Sequence, residues 1–343
     1  MPVAVRGAAA LALALLLAGA SSHGPAAPAV DAGSPGFPRG AASAGSSFLR
    51  AEDYRVLRVG YRIGVGARRF CSDSYPLTGM LLHHLADYER RDQAAVIAEF
   101  GLDRGPSVLA VVEGSPAAEA GLLAGDLLLS VNGSSFASPL RVAEIRDEAR
   151  RRMAVEATEA QLETQLRLGA VTLQISRKGR EFSVRLSPRS GCPVRVRLAP
   201  SPRLNAFAIR GYAIVTTRLL AAIRSDDELA IALGHEIAHN VLKHMDRLEE
   251  MGVPSSGMLR RIGKNAALVR ATEAEADRLG LKLAWAAGYD PSAAIPYRRR
   301  MEEAHGGSGQ FSTHPSAEER ERLLREVLAE LGVQASDPSP QRP

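Results

Sequence analysis

Apolar side chains recur at helical spacing through Ser225–Met245. Leu229, Ala232, Leu233, Ile237 and Leu242 fall on one face, and Ser225 with Glu228 three residues on makes a capping-box start. The spacing predicts a helix with one buried side. A second helical run covers Arg270–Ala287, and a third, through Leu81, Leu85, Tyr88 and Ala95, predicts a helix over Leu77–Glu99. Leu140–Leu168 reads as a long charged helix. Elsewhere the period is two: Val194–Leu198 alternates as a strand, and Leu204–Ile209 and Tyr212–Thr217 form a hairpin around Arg210-Gly211. Ser107–Glu113 is a short β-rich run, and Val171–Ser176 and Glu181–Leu186 alternate around Arg177-Lys178-Gly179-Arg180.

Inside the first helix stands His235-Glu236-Ile237-Ala238-His239. Histidines one helical turn apart project from the same side, so both imidazoles can reach one zinc ion at ~2.0–2.1 Å. Glu236, beside the first of them, stands where a general base for a zinc-activated water would stand. The plain alternative is a chance pair of core histidines, because a zinc site needs a third ligand and one open position. On the second helix Glu273 and Asp277 are again one turn apart, which lets one carboxylate bind metal while the other braces a ligating histidine from behind.

With these two motifs the chain resembles metallopeptidase family 48, the family of the HtpX and CAAX prenyl proteases and their soluble exported relatives. Leu204–Leu220 ahead of the zinc helix, Ala287-Gly288-Tyr289-Asp290-Pro291 after the second helix and Thr313-His314-Pro315 near the C-terminus agree with it, and the resemblance spans Pro193–Leu331. It implies an α+β build: a mainly helical zincin-type (gluzincin) domain with a small antiparallel sheet. It implies one Zn2+ per chain on His235, His239 and Glu273, with Asp277 behind them and Glu236 as the base. It places Asn205, Ala206, Phe207 and Ala208 on a strand lining the cleft, where an extended substrate pairs by its backbone. His314 is then either a donor to the developing oxyanion or a resting-state zinc ligand; the plain alternative is a histidine ahead of a helix capped by Ser316 and Glu319.

The stretch 100–188 resembles a PDZ domain inserted in the N-terminal part. The tight Gly114-Ser115-Pro116-Ala117 turn, a short helix ending at Gly121, the Ala124-Gly125-Asp126 turn, a strand through Val131 and the Asn132-Gly133 turn carry the likeness. It implies that an extended peptide adds as a strand, with Glu99-Phe100-Gly101-Leu102 cradling its carboxylate and the long charged helix forming the other wall. Cys71 and Cys192, the two cysteines of the chain, bracket this module, and a disulfide at its base is expected, the alternative being two buried thiols.

Residues 1–20 read as a signal peptide, from Arg6, the apolar Ala8–Ala18 and the small-residue site Ala18-Gly19-Ala20. Residues 21–47 read as a disordered leader, 48–99 as an N-terminal strand and helix segment of the peptidase body, 189–334 as the peptidase domain and 335–343 as a disordered tail. No later apolar run is long enough to span a bilayer. The formal net charge of +5 comes from scattered arginines interleaved with glutamates; this excludes a nucleic-acid signature and is compatible with peripheral contact to an anionic membrane.

The expectation is an exported, periplasmic zinc endopeptidase acting on misfolded or misassembled cell-envelope proteins, its PDZ module binding substrate or a regulatory peptide. Secretion and tethering by an uncleaved signal are the alternative locations. The rival from another class is a PDZ-bearing periplasmic chaperone or assembly factor with a structural or latent zinc site. His83 and His84 read as surface or packed histidines, Glu275 as solvated, His244 and His305 as structural or exposed, and Arg320 as a partner for an unidentified carboxylate near the site.

Overall fold

The computed structural model describes residues 51–209, 211–255, 257–304 and 316–334. The expected signal peptide, leader and tail, and His305 and His314, lie outside the described residues. The chain runs through α1 (Ala51–Gly66), β1 (Tyr75–Leu77), β2 (Met80–His83), α2 (Arg90–Phe100), β3 (Ser107–Val111), α3 (Pro116–Glu119), β4 (Leu127–Val131) and β5 (Ser134–Ser135). It continues through α4 (Pro139–Ala143), α5 (Glu148–Arg167), β6 (Val171–Arg177), β7 (Arg180–Leu186), β8 (Arg189–Gly191), β9 (Arg195–Ala199), β10 (Ala206–Ile209) and β11 (Tyr212–Thr216). The last part is helical: α6 (Thr217–Ala222), α7 (Asp226–Val241), α8 (His244–Glu250), α9 (Gly263–Ala286), α10 (Ala294–Ala304) and α11 (Ala317–Glu330).

The fold is α+β in two parts. In the body, α7 is packed against α9, α1 and a three-stranded sheet ordered β10-β11-β9, and one apolar core joins Val56, Val196, Val215, Leu233 and Leu283. β11 pairs antiparallel with β10 and parallel with β9, which leaves β10 as an outer strand. α7 and α9 cross backbone to backbone at two glycines. A Cβ on Gly234 would stand 2.5 Å from the Gly280 carbonyl oxygen, and one on Gly280 would stand 2.6 Å from the His235 nitrogen. A mid-helix glycine costs about 1 kcal/mol relative to alanine; here it lets α9 approach close enough to face the α7 histidines.

The inserted module has its own sheet, ordered β2-β3-β4-β6-β7 with β5 on β4, and a separate core of Leu82, Val108, Leu128, Leu162 and Leu173. Its two ends are joined at the base, where β1 pairs with β8 and Cys71 is bonded to Cys192 with Cα atoms 5.5 Å apart. The expected disulfide is therefore present. In the chain-entropy model, closing a loop of this length stabilises the fold by up to about 4–5 kcal/mol.

The helix expected over Leu77–Glu99 is absent. Its first part is β2, paired with β3, and only Arg90–Phe100 is helical. Leu81 and Leu85 are four apart, a spacing that fits period two as well as period 3.6, and sheet pairing decided between them. The module's sheet therefore begins before residue 100. Glu99–Leu102 does not precede a groove strand: it ends α2, with Gly101 left-handed at the cap and Leu102 packed on Leu85 and Val96. The long charged helix is broken into α4 and α5, since the Asp147 side chain accepts the Arg150 N–H at 2.7 Å and starts α5 afresh. At the start of α7, Ser225 caps as expected, accepting the Glu228 N–H at 3.2 Å, but the Glu228 carboxylate accepts from the Arg224 N–H rather than closing a capping box. Helix α1, which the apolar period did not reveal, lies against β9, where a Cβ on Gly60 would come within 2.6 Å of Val196.

Module and body meet beside β2. A cavity of about 120 Å³ there is lined by Leu81, Leu162 and Leu166 of the module and Leu57, Tyr61 and Val196 of the body. Two ion pairs, Glu159–Arg197 and Glu163–Arg195, fasten α5 to β9. Tyr212 Oη donates to Glu159 at 2.5 Å and Tyr75 Oη to Glu163 at 3.0 Å. Burial alone would raise the pKa of Glu159, but Arg197 and then His84 outweigh it and hold it down to about 2.

Candidate metal centre

His235 and His239 leave α7 one turn apart with their Nε2 atoms 3.1 Å from each other. Glu273, from α9, brings Oε2 to 3.4 Å from His235 Nε2 and Oε1 to 3.6 Å from His239 Nε2. A tetrahedral ion with bonds of ~2.0–2.1 Å has edges of about 3.3–3.4 Å between its ligand atoms; the two imidazole nitrogens, and the Glu273 oxygen that faces each of them, come near that spacing, and one donor atom from each of the three residues lies within 4.8 Å of the others. They are the His/Cys/Asp/Glu group among the described residues that could hold a metal ion. The pocket's charges ask for a cation as well. Burial opposes a charge on His235, yet Asp277 and then Glu273 outweigh it, so this imidazole keeps its proton up to about 9. On geometry and charge the residues fit a metal.

Each histidine is braced from behind by a different device. His235 Nδ1 stands 2.8 Å from Asp277 Oδ1, a close ionic contact although the ring is turned off the ideal hydrogen-bond line. Asp277 accepts from Arg320 Nη2 at 2.8 Å and Arg298 Nη2 at 3.0 Å. Burial works against its charge, but the two guanidiniums hold its carboxyl well below the usual range. Arg320, a partner for an unidentified carboxylate on sequence alone, is thus the partner of Asp277.

His239 is braced through a second imidazole. Its Nδ1 lies 2.9 Å from His244 Nδ1, His244 Nε2 lies 3.1 Å from Glu275 Oε2, and Arg247 donates to the same oxygen at 2.7 Å. A carboxylate beside arginine only accepts, so His244 carries its proton on Nε2 and offers the Nδ1 lone pair to the His239 Nδ1–H. His239 Nε2 is left as a lone pair facing Glu273 and His235. Burial, then the neighbouring His235, lowers the His239 pKa to about 3, which keeps it neutral. Glu275, expected to be merely solvated, is 41% exposed and tied to both Arg247 and His244, which corrects that expectation. His244 is structural, as one of its two readings had it.

Glu236 is 9% exposed. Burial raises its pKa, His235 opposes the shift and Glu273 adds to it. Asn205–Ala208 lies at and in the outer strand β10, against which α7 packs, and the Asn205 N–H is tied to Thr216 Oγ1 at 3.2 Å. His314 lies outside the described residues.

Sequence reasoning passed over Gly234, Gly280, Arg298 and the role of His244. A glycine in mid-helix was the signal for the first two. His244 was hidden because the helix expected to run to Met245 stops at Val241; Lys243 has φ of 52° and turns the chain so that His244, at the head of α8, folds back on His239.

The family model for Peptidase family M48 matches residues 170–269 and 261–328, and a PDZ domain model matches residues 107–156. The mitochondrial metalloendopeptidase OMA1 of Schizosaccharomyces pombe is 32% identical over 184 residues, 47% of this chain and 54% of that protein. The OMA1 of Arabidopsis thaliana is 31% identical over 155 residues, 40% of this chain and 32% of that one. The β-barrel assembly-enhancing protease of Yersinia pestis is 23% identical over 197 residues, 42% of this chain and 40% of that one. The chain thus spans about half the length of the first of these relatives and about a third of the second. With the ordered motifs and the His235–His239–Glu273 geometry behind it, the match shows that this chain carries a peptidase domain of family M48 together with a PDZ domain.

Proposed function

We propose that this chain is a zinc-dependent endopeptidase. The observation that carries the reading is the convergence of one donor atom each from His235, His239 and Glu273 within 4.8 Å of one another, with a buried carboxylate of raised pKa one residue along α7. His235, His239 and Glu273 would hold the ion. Zinc supplies a Lewis acid that polarises a carbonyl and activates water at neutral pH.

The rest of the chemistry belongs to the protein. Glu236, its carboxylate made more basic by burial, takes the proton of the attacking water and returns it to the leaving amine. Asp277 and His244 hold the two imidazoles in the tautomers that present Nε2. An extended substrate pairs along the outer edge of β10 at Asn205, Ala206, Phe207 and Ala208, which would position its carbonyl by backbone contacts and so tolerate many sequences. His314 serves either as donor to the oxyanion or as a plug that withdraws when substrate enters; activity rising in His314→Ala selects the second role.

The PDZ module takes a peptide along the outer edge of β2. The cavity beside that strand, about 120 Å³ and roofed by α1 and β9, is small for several residues of peptide, so loading it entails some parting of module and body. Export to the periplasm is supported by the Cys71–Cys192 bond, which fits an oxidising compartment. Among the described residues no helix is long and apolar enough to cross a membrane. Misfolded or misassembled envelope proteins are the proposed substrates, with the relative named a β-barrel assembly-enhancing protease as support.

The test compares wild type with Glu236→Gln for zinc content and for cleavage of casein. The variant is expected to keep its zinc and to lose turnover by about 10²–10⁴-fold, the usual worth of a general base. Full turnover in the variant would overturn the assignment.

A further inference from the structure

Ten large apolar side chains stand exposed among the described residues, and five of them, Met245, Met251, Met258, Leu259 and Ile262, lie in α8 and the connection to α9. The others are scattered through the module, as single exposed apolar residues commonly are. Within the connection the exposure peaks at Met258 (75%) and Leu259 (65%), in a single 3₁₀ turn, Met258–Arg261, with Ile262 following directly.

This turn is held in place rather than left slack. Arg260 donates through Nη1 to the Pro254 carbonyl at 3.2 Å, and Asn265 donates through Nδ2 to the Leu259 carbonyl at 3.0 Å. One carbonyl ahead of the apolar tip and one within it are therefore held by side chains, while the side chains of the tip face solvent. Charge follows one sign: Gly257–Lys264 contains Arg260, Arg261 and Lys264 and no acidic residue, and Arg261 and Lys264 are exposed. The turn packs on α9, the helix that carries Glu273.

We propose that Met258–Lys264 is a peripheral docking element for an anionic lipid bilayer. Met258, Leu259 and Ile262 enter the boundary between headgroups and acyl chains, and Arg261 and Lys264 lie against the lipid phosphates. An apolar tip collared by cations is the composition that interfacial anchors use, and positive charges near an anionic leaflet add to the binding of the apolar part. A stable protein partner would call for a surface of about 800 Å² on this side, far more than three side chains on one turn supply. Docking by this turn would bring the α7–α9 crossing close to the membrane surface. The inference does not depend on the zinc reading.

The experiment is co-sedimentation of the full chain with phosphatidylcholine vesicles, with and without phosphatidylglycerol. Wild type is expected to pellet only with the anionic vesicles and to be released by salt near 1 M, where the screening length is about 3 Å. The triple variant Met258→Ser/Leu259→Ser/Ile262→Ser and the double variant Arg261→Glu/Lys264→Glu are each expected to bind at least tenfold more weakly, with unchanged thermal melting and unchanged casein turnover. Wild type that fails to pellet with anionic vesicles overturns the proposal, as does either variant binding like wild type. Variants that lose casein turnover, with vesicle binding unaffected, would mark the turn as a surface for substrate protein instead and equally overturn it.

Discussion

The α7–α9 crossing and the junction between module and body both bury charged side chains, but they are built to opposite ends. At the crossing two glycines bring the backbones into contact, and each histidine of the candidate site is tied to an arginine-held carboxylate, His235 directly and His239 through His244. At the junction the charges pair across a seam, Glu159 with Arg197 and Glu163 with Arg195, beside a cavity of about 120 Å³. The first arrangement fixes atoms to fractions of an ångström, as a metal site requires. The second joins the two parts by ion pairs at a seam where Leu81 of β2 and Ala110 of β3 also enter the body's apolar core.

The largest functional effect is expected from breaking the rigid side of this contrast. Gly280→Ala places a methyl 2.6 Å from the His235 backbone nitrogen, with backbone on both sides and no flexible side chain to yield. Overpacking of this kind costs about 1–3 kcal/mol. Because the shift falls between the ligands, zinc content and casein turnover should both drop more than tenfold, measured by atomic absorption and peptide release; a variant with normal zinc and turnover would show that the glycine contact is incidental.

The seam is tested next, by acid. The Glu159 carboxyl is held at about 2 in the folded chain against an ordinary 4.5. A group lowered in this way stabilises fully above its unfolded value and loses that contribution as pH falls toward the folded one. The stake is about 3 kcal/mol between neutral pH and about pH 2. Urea unfolding followed from pH 7 to pH 3 should therefore show an acid loss that is smaller in Glu159→Gln, a variant that is less stable at pH 7. Parallel acid limbs in the two proteins would remove Glu159 from the account.

The smallest effect sharpens the comparison between the two braces. His244→Ala leaves the His239 Nδ1–H without its partner, and loss of such an outer support weakens metal affinity by about 10–100-fold. Competition with a chelator should show that loss in His244→Ala and part of it in Glu275→Gln, with melting of the metal-free chain little changed. Equal affinity in all three proteins would reduce the His244–Glu275–Arg247 chain to packing.

What the sequence disclosed followed from spacing. His235 and His239, and again Glu273 and Asp277, sit one turn apart, and helical geometry alone turns each pair to a common side. The capping Ser225 and the paired Cys71 and Cys192 were legible for similarly local or compositional reasons. What it hid depended on tertiary contact. Gly234 and Gly280 matter only because each meets the other, and His244 joins the site only because Lys243 turns the chain. Strand β2 was concealed by a leucine pair whose spacing suits a helix and a strand equally, and its pairing with β3 settled the matter.

The most direct test of the central claim, that α7 and α9 together present one metal-binding face, is anomalous diffraction at the zinc edge from crystals grown with zinc. A single strong peak is expected at ~2.0–2.1 Å from the Nε2 atoms of His235 and His239 and from a Glu273 oxygen. A peak on other residues, or on the histidines with Glu273 turned away, would contradict the claim.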